Sequence, residues 1–530
     1  MSSTPPPVVV PPESAARSRW TLIAVCAATF MLLVDVTIVQ VALPTIQRHL
    51  NASFTDLQWV IDAYALTLAT VILAWGSVSD LLGRKRVFIA GLVVFTVSSL
   101  LCGLAQSTTM LIWSRALQGI GGAAIFATGL ALIAQDFQGP ARGKAIAAWG
   151  ATVGGAAAVG PILGGALTSG IGWRWIFIVN VPVGVAAIWI SWAKMRNQKD
   201  PGATRLDGLG LVTFAAAMFL LEFGLIRGND LGWTSAAIVA MFAGSAAALV
   251  AFVLVELLQS RPMFDLSLFR KPSFGGVSVA TFAIGGGMFA LLPFLTLYFQ
   301  NDLGFSPLQG GLRLLPLTVL AFLVPFVFRG PAQTLPPGLA LGAGFAITAG
   351  GIAAMLAVGS HSSWTVLIPG LVLCGIGLGI ANPAIARVGL GVVPPQRSGM
   401  ASGISNTFRI AGLATGVAAL GAIFQQRVTT SLSSSVGPHA AALGNVVSSA
   451  GVTAAAHGQA RTADAAHVAF VSGLHTVFVI CAIAVAAGAI ISVVLVRAKD
   501  FHQPTSPVAP TEPEPAPIVT TAPLVTPEAR

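Results

Sequence analysis

The sequence predicts an all-helical integral membrane protein that crosses the bilayer fourteen times. Three observations carry that prediction. First, 55% of the 530 residues are apolar and only 9% are charged, whereas an average soluble domain has about 25% charged residues. So charge-poor a chain cannot clothe a soluble globule of this size in water, and a soluble enzyme is excluded. Second, fourteen runs reach the roughly 20 mostly apolar residues that a spanning helix needs. Third, the basic residues fall predominantly on one side of those runs. The 28 Lys and Arg exceed the 18 Asp and Glu, for a net charge of +10, and the distribution of that excess reads as topology.

The runs lie at about 20–44, 57–77, 87–106, 110–135, 144–168, 174–193, 207–227, 234–257, 273–298, 308–328, 338–358, 363–386, 399–424 and 468–496. Gly330, Pro331, Pro336 and Pro337 interrupt the apolar stretch from Leu308 to Val358, so a short loop is expected between spans ten and eleven. The first span is too long for a cleaved signal peptide. Residues 1–16 and 501–530 are Pro-rich without apolar periodicity, and both tails are expected to be disordered and dispensable. An even number of spans puts both termini on one side. Loops on that side hold nineteen Lys and Arg, among them Arg86, Lys144 and Arg196; the opposite loops and rims hold six, Arg48, Arg174, Arg227, Arg313, Arg427 and Arg461. The positive-inside rule then makes the termini cytoplasmic and removes the main support for nucleic-acid binding. The outer connection 425–466, rich in Ala, Ser, Gly and Val, is expected to be mobile. The four cysteines lie in apolar runs, with neither metal-ligand nor disulfide spacing.

Several motifs sit on these elements. Span one ends Leu33-Val-Asp35-Val-Thr37-Ile38-Val39-Gln40-Val-Ala42-Leu43-Pro44. Between spans two and three comes Gly76-Ser-Val-Ser-Asp80-Leu-Leu-Gly83-Arg84-Lys85-Arg86. Its glycines let two helix ends turn tightly, and Asp80 can pair with the basic residues beneath the membrane. Span four holds Arg115-Ala-Leu-Gln118-Gly119-Ile-Gly121, and span five holds Gly160-Pro161-Ile-Leu-Gly164-Gly165. Small residues permit close helix packing, and Pro161 removes one backbone hydrogen bond, so a kink or hinge is expected there. Between spans five and six lies Gly172-Trp173-Arg174-Trp175-Ile-Phe177-Ile-Val-Asn180-Val-Pro182-Val-Gly184.

The first loop resembles the Gly-x-x-x-Asp-x-x-Gly-Arg-[Arg/Lys] signature of the major facilitator superfamily. Spans four and five resemble that superfamily's Arg-x-x-Gln-Gly-x-Gly element and its antiporter-associated Gly-Pro-x-x-Gly-Gly. The end of span one and the 172–184 stretch are similar to hallmarks of the fourteen-helix drug:proton antiporter branch. So are Met263-Phe-Asp265-Leu-Ser-Leu-Phe269-Arg270 and Gly399-Met-Ala-Ser-Gly403-Ile-Ser-Asn406. The likeness is close over spans one to six and thinner beyond. It implies the major facilitator fold, with six-helix bundles at 17–200 and 261–500, an inserted helix pair at 201–260, and a central cavity opened alternately to each side. It also implies the plasma membrane. Phe328-Arg329-Gly330-Pro331-Ala332-Gln333 lacks the Asp and basic cluster of a repeated signature, so a symmetric pair of gates is not expected.

An ionisable side chain inside the bilayer costs at least a few kcal/mol, which makes each one a candidate functional group. Asp35 lies about nine residues from the outer end of span one, roughly 13 Å deep at 1.5 Å per residue. It is the first choice as proton carrier. The competing reading is a fixed Asp35–Arg115 ion pair stapling spans one and four, and the two coexist if protonation releases Arg115. Asp62 (span two) and Glu222 (span seven) are possible second acids, some five residues from the outer rim. Asp62 resembles a second-span acid linked to divalent-cation recognition in part of the branch, and it reads equally as a wet structural residue. The resemblance gives Glu222 no cavity position. Asp80, Asp136 and Glu256 sit at cytoplasmic helix ends, where solvated salt bridges are expected. Asp302 and Asp464 are placed in outer loops, which leaves the second bundle without a buried carboxylate. Gln40, Tyr64, Trp113, Gln118, Asn406 and Arg409 are candidates to line the cavity; tryptophans at outer helix ends otherwise read as an interfacial belt. His475 reads as a satisfied polar contact.

No Gly-x-x-x-x-Gly-Lys-[Ser/Thr] loop is present, so ATP is not expected to drive the protein. Neither is there a catalytic or metal-binding cluster, so no enzyme activity, cofactor or metal is expected. The resemblance implies proton-coupled export of small lipophilic drugs or antibiotics. Its partners are then a small-molecule substrate, protons and the lipid bilayer, with no obligate protein partner. Two alternatives stand beside it: a dedicated exporter of one endogenous metabolite (an antibiotic, siderophore or lipid), and a membrane sensor without flux.

Overall fold

The computed structural model describes residues 12–137, 139–197, 207–259, 264–328, 335–393, 398–436, 440–450, 452 and 460–501, and every regular element among them is helical. The first half comprises α1 (Pro12–Leu50), α2 (Phe54–Leu82), α3 (Arg84–Gly103), α4 (Thr108–Asp136), α5 (Gly139–Gly170) and α6 (Asn180–Lys194). Next come α7 (Gly208–Leu231) and α8 (Ala236–Leu258), the helices that fall in the stretch expected to hold an inserted pair. The second half starts with α9 (Pro272–Asp302), a continuous helix carrying π turns at Gly285–Phe289 and Tyr298–Asp302. It continues with α10 (Pro307–Arg313), α11 (Leu315–Val327), α12 (Pro337–Ala354), α13 (Ile368–Gly391), α14 (Ser398–Val436), α15 (Ala440–Ala450) and α16 (Ala460–Leu495).

Twelve of the described helices are long and apolar enough to cross a membrane, and α10 with α11 adds a thirteenth as one span bent by 42°. The bend has a local cause: Pro316 falls in the first turn of α11 and has no N–H to continue the ladder from α10. The remaining predicted span, 144–168, falls on α5, whose 32 residues are rich in Ala and Gly. Helix starts follow from side-chain caps that satisfy the orphan amides. Ser53 and Asp56 form a reciprocal capping box on α2, Ser306 and Gln309 another on α10, and Ser107 and Asp207 cap α4 and α7.

Some boundaries differ from those expected. α1 starts at Pro12, inside the predicted tail, and runs through Pro44 to Leu50; the packing of buried Ala42, Leu43 and Ile46 holds the turn that Pro44 weakens. The 425–466 connection is largely helical, because α14 continues to Val436 and α15 follows. Ala favours helix, and Val428, Leu432 and Val447 give the segment a buried apolar face. The remaining tail residues, 1–11 and 502–530, and loop residues 329–333 lie outside the described residues.

Two bundles emerge from the packing. α1 packs on α4, α5 and α6, while α2 and α3 pack on α4. In the second half α9 lies against α14 and α16, α12 against α13 and α16, and α11 against α13. The bundles meet along α2–α14, α5–α10/α11 and α1–α9. α7 touches α2 and α14 at the first of these seams, whereas α8 packs on α7 and turns Val239, Leu249, Val250, Leu254 and Leu257 outward.

The seams are latched on the side away from the termini. Gln58 donates to the carbonyls of Val417 and Ala418 (both 3.3 Å), and Gln300 donates to that of Val41 (2.7 Å). The Leu308 amide donates to the Ser169 hydroxyl (3.1 Å), and the Phe424 ring meets Phe54 and Phe294 at 6.1 and 5.4 Å. A single apolar core runs through both bundles here. The cleft left among Leu43, Phe54, Gln58, Phe294 and Val417 is only ≈ 20 Å³.

Candidate functional site

The deepest charge sits where the backbones of the first bundle come closest. Gly119 of α4 lies against the Tyr64 carbonyl of α2, and Gly121 faces α3, where an added Cβ would sit 2.6 Å from the Phe95 amide. With α4 drawn in on both sides, Arg115 and Gln118 project into the bundle and meet Asp35 of α1. Because α1 extends to Leu50, Asp35 lies about 22 Å from its end at 1.5 Å per residue, deeper than the predicted span implied.

Asp35 is 0% exposed and Arg115 1%. Arg115 Nη1 donates to Asp35 Oδ2 and to Gln118 Oε1 (2.7 Å), and its Nε donates to the Val60 carbonyl (3.1 Å). The guanidinium also lies 4.1 Å from the Tyr64 ring centroid. Asp35 Oδ1 accepts from Gln118 Nε2 (2.9 Å) and Asn180 Nδ2 (3.1 Å), and Gln118 Nε2 reaches Ser99 Oγ (2.7 Å). Side chains or carbonyls of α1, α2, α3, α4 and α6 therefore converge on one carboxylate. A buried ion pair survives when its remaining lone pairs and protons are satisfied, and both oxygens of Asp35 are.

Of this network, Asp35, Arg115, Tyr64 and Gln118 were expected. Asn180 and Ser99 were not assigned. Asn180 was visible as a polar residue opening an apolar span, but Ser99 carried no signal of its own.

The two glycine motifs are packing devices of different kinds. In the first loop, Gly83 has φ +100°, a conformation that side-chain-bearing residues rarely adopt. The turn is fastened by Arg84 to Asp80 (3.3 Å) and by Lys85 Nζ to the Trp192 and Met195 carbonyls (both 2.8 Å); Gly76 faces open space. On α5, Gly160 packs against Thr37 and Gly164 against Ile38, both on α1. Gly165 faces α10 from the opposite bundle, and the Pro161 carbonyl meets Gly311 there. α5 continues through Pro161, and the element presents contact faces to both α1 and α10.

Other assignments change with the structure. Trp113 is 69% exposed; it lies two residues, about 200° of helix rotation, from inward-facing Arg115, so it is on the outside of the bundle and not at a cavity mouth. Gln40 is buried, and half-buried Arg409 donates to Asn406 Oδ1 (2.7 Å). Asp62 and Glu222 are both fully buried, which removes the wet reading of Asp62. Asp302 is no loop residue: the π turn ending α9 buries it, and it binds His467 Nδ1 at 3.0 Å, so the second half does hold a buried carboxylate. Glu256 is buried and accepts the Phe264 amide (3.1 Å), and Asp136 accepts the Thr21 hydroxyl (2.5 Å), where solvated salt bridges were expected. His475 does make a polar contact, to the Val358 carbonyl (2.6 Å).

Two helical bundles that meet along latched seams and bury charged groups in their interiors are an architecture that membrane transporters use. The chain belongs to the Major Facilitator Superfamily, which it matches over residues 25–417. It is 34% identical over 420 residues to Multidrug resistance protein Stp of Mycobacterium tuberculosis, covering 79% of this chain and 77% of that protein. To the Probable actinorhodin transporter of Streptomyces coelicolor it is 36% identical over 430 residues, covering 78% and 73%. Among solved structures, a bacterial homologue of the human lysosomal transporter Spinster, inward-facing and unoccupied, has the same fold. It superposes with a TM-score of 0.65 at 19% identity, covering 93% of this chain and 100% of that one.

Proposed function

We propose that this protein is a proton-coupled antiporter of the plasma membrane that exports small lipophilic drugs or antibiotics by alternating access, with both termini cytoplasmic. The observation that carries the proposal is the Asp35–Arg115 pair, buried in the first bundle and braced by Gln118 and Asn180. The basic residues on the side of the termini support the orientation. On that orientation the latched side is the outer one, and the ionised pair belongs to a state ready to take substrate from inside.

A proton arriving from outside neutralises Asp35, frees Arg115, and favours release of substrate; loss of that proton to the cytoplasm re-forms the pair. Coupling needs only that proton and substrate prefer different states. Gln40, Asn406 and Arg409 are assigned to the substrate path. The relatives, named as multidrug resistance and antibiotic-export proteins, support export of drugs and antibiotics, and the actinorhodin transporter favours a second reading, export of one dedicated metabolite.

Proteoliposomes with an imposed pH gradient test both. Wild type should move protons when given a transported compound, and Asp35→Asn, folded and inserted, should not. Undiminished drug-dependent proton movement in Asp35→Asn would refute the assignment. Breadth across a chemically varied panel separates broad from dedicated export.

A further inference from the structure

The inserted pair brings a second acid to the first bundle. Asp62 on α2 and Glu222 on α7 are fully buried, and the two helices that carry them pack against each other. Among the described residues, both oxygens of Asp62 and Oε2 of Glu222 have no hydrogen-bond partner. Glu222 Oε1 accepts the hydroxyl of Thr415, which belongs to α14 of the other bundle (2.9 Å). Three helices thus meet at two carboxyl groups that have almost nothing to bind.

Among the described residues no cation pairs with them. Arg115 of α4 is held by Asp35, Gln118 and Val60, Arg409 of α14 binds Asn406, and Arg227 of α7 pairs with Asp230 at 3.3 Å. The other titratable groups of α2 lie elsewhere: Asp56 is bound to Ser53, Tyr64 to the Leu32 carbonyl, and Asp80 to Arg84. On α14, Arg427 is exposed near the outer end, and on α8 Glu256 caps the far end of the pair. Neither carboxyl group is exposed. Trp59, one turn before Asp62, packs on Phe219 and Phe223, residues neighbouring Glu222 in α7, at 6.3 and 5.9 Å. Two carboxyl groups buried together without a counter-ion cannot both be ionised, and such a pair keeps a proton.

We propose that Asp62 and Glu222 form one cation-binding site that takes a single proton, shared as a hydrogen bond between carboxylic acid and carboxylate. The inserted helix pair is then part of the coupling machinery. The site lies on the α2–α14 seam, one turn from the Gln58 latch on Val417 and Ala418. Parting of that seam withdraws Thr415 from Glu222 and opens the site to water, so proton exchange follows the same motion that releases substrate. This rests on the alternating-access antiport reading above, and it adds a second proton carrier to it.

The full-length protein in nanodiscs provides the test, by infrared spectroscopy at neutral pH. Wild type should show the carbonyl stretch of a buried carboxylic acid, sensitive to D2O. That band should vanish in Asp62→Asn/Glu222→Gln and persist in Asp35→Asn and Glu256→Gln. In proteoliposomes the double variant should carry one proton fewer per substrate. Its amides are uncharged isosteres, and an unchanged melting profile confirms that it folds. A band that survives in the double variant, or a stoichiometry equal to wild type in a folded double variant, overturns the proposal. Transport that requires Na⁺ at fixed pH, and loses that requirement in the double variant, assigns the site to a metal ion and also overturns it. If Asp35 is not a coupling group, Asp35→Asn transports with wild-type stoichiometry while the infrared result stands, so the two readings fail separately.

Discussion

The Asp35–Arg115 pair makes a quantitative prediction about stability as well as transport. Asparagine at position 35 keeps the shape of the side chain but offers one acceptor oxygen and one amide. In either orientation the amide faces a donor: Arg115 Nη1 on one side, Gln118 Nε2 and Asn180 Nδ2 on the other. The guanidinium then remains buried without its counter-ion. Removing one partner of a buried pair costs about 3–5 kcal/mol. Arg115 keeps its bonds to Gln118 Oε1 and the Val60 carbonyl and its place over Tyr64, so the lower end, about 3 kcal/mol, is expected. Arg115→Met should cost a similar amount, because it strands the carboxylate instead. The double variant Asp35→Asn/Arg115→Met buries no charge, and its destabilisation should fall short of the summed single effects by about 2 kcal/mol or more. Denaturant unfolding in mixed micelles, followed by circular dichroism, measures all three. Additive losses would show that the two residues do not act as a buried charged pair, and the proton-release mechanism built on them would fall with that result.

Three further outcomes are expected. Gly83→Ala forces a side chain into φ +100° and should destabilise by about 1–3 kcal/mol; trimming the adjacent Asn197 to Gly should not restore it, since the backbone strain remains, and an unchanged melting temperature for Gly83→Ala would contradict this. Gly165→Val would place a Cβ 2.7 Å from Leu308 Cα and the Pro307 carbonyl, both backbone, wedging α5 from α10. Disulfide formation between Ser169→Cys and Leu308→Cys should then drop several-fold, and equal yields would show that this face is not tight. Outside the spans, the Ser273 hydroxyl and amide (2.7 and 3.2 Å) hold the Asp500 carboxyl below its ordinary value of 3.8. The folded group is the more acidic one, so its contribution is complete above that ordinary value and is lost as pH falls through the lower folded value. Wild type should therefore be more stable than Asp500→Asn at neutral pH, with the difference shrinking below about pH 4; a difference independent of pH would remove the charge from the explanation.

Much of the architecture was legible because its causes are local or compositional. Bilayer crossing follows from runs of apolar residues, and the tight turn from Gly83. Asp35 and Arg115 announced themselves because a charge in an apolar run needs a reason. Where local causes stop, so did the reading. The 425–466 segment looked like a loop because its Ala and Ser content says little about what it packs against, and only burial of Val428, Leu432 and Val447 shows that it folds as helix. Trp113 looked like a cavity residue until the rotation of α4 was set by Gly119 and Gly121.

The sequence by itself determined that this chain spans a membrane, that Asp35 and Arg115 are misplaced charges there, and the family to which its motifs point. Only the tertiary structure decided which misplaced charges answer one another. Asp35 finds Arg115, Gln118 and Asn180, whereas among the described residues Asp62 finds no hydrogen-bond partner and Glu222 finds only Thr415. Helical periodicity reports the face on which a side chain stands, but its partner is chosen by helix packing between segments far apart in the chain, and in a water-poor interior that choice sets whether a carboxyl group is satisfied or waiting for a cation.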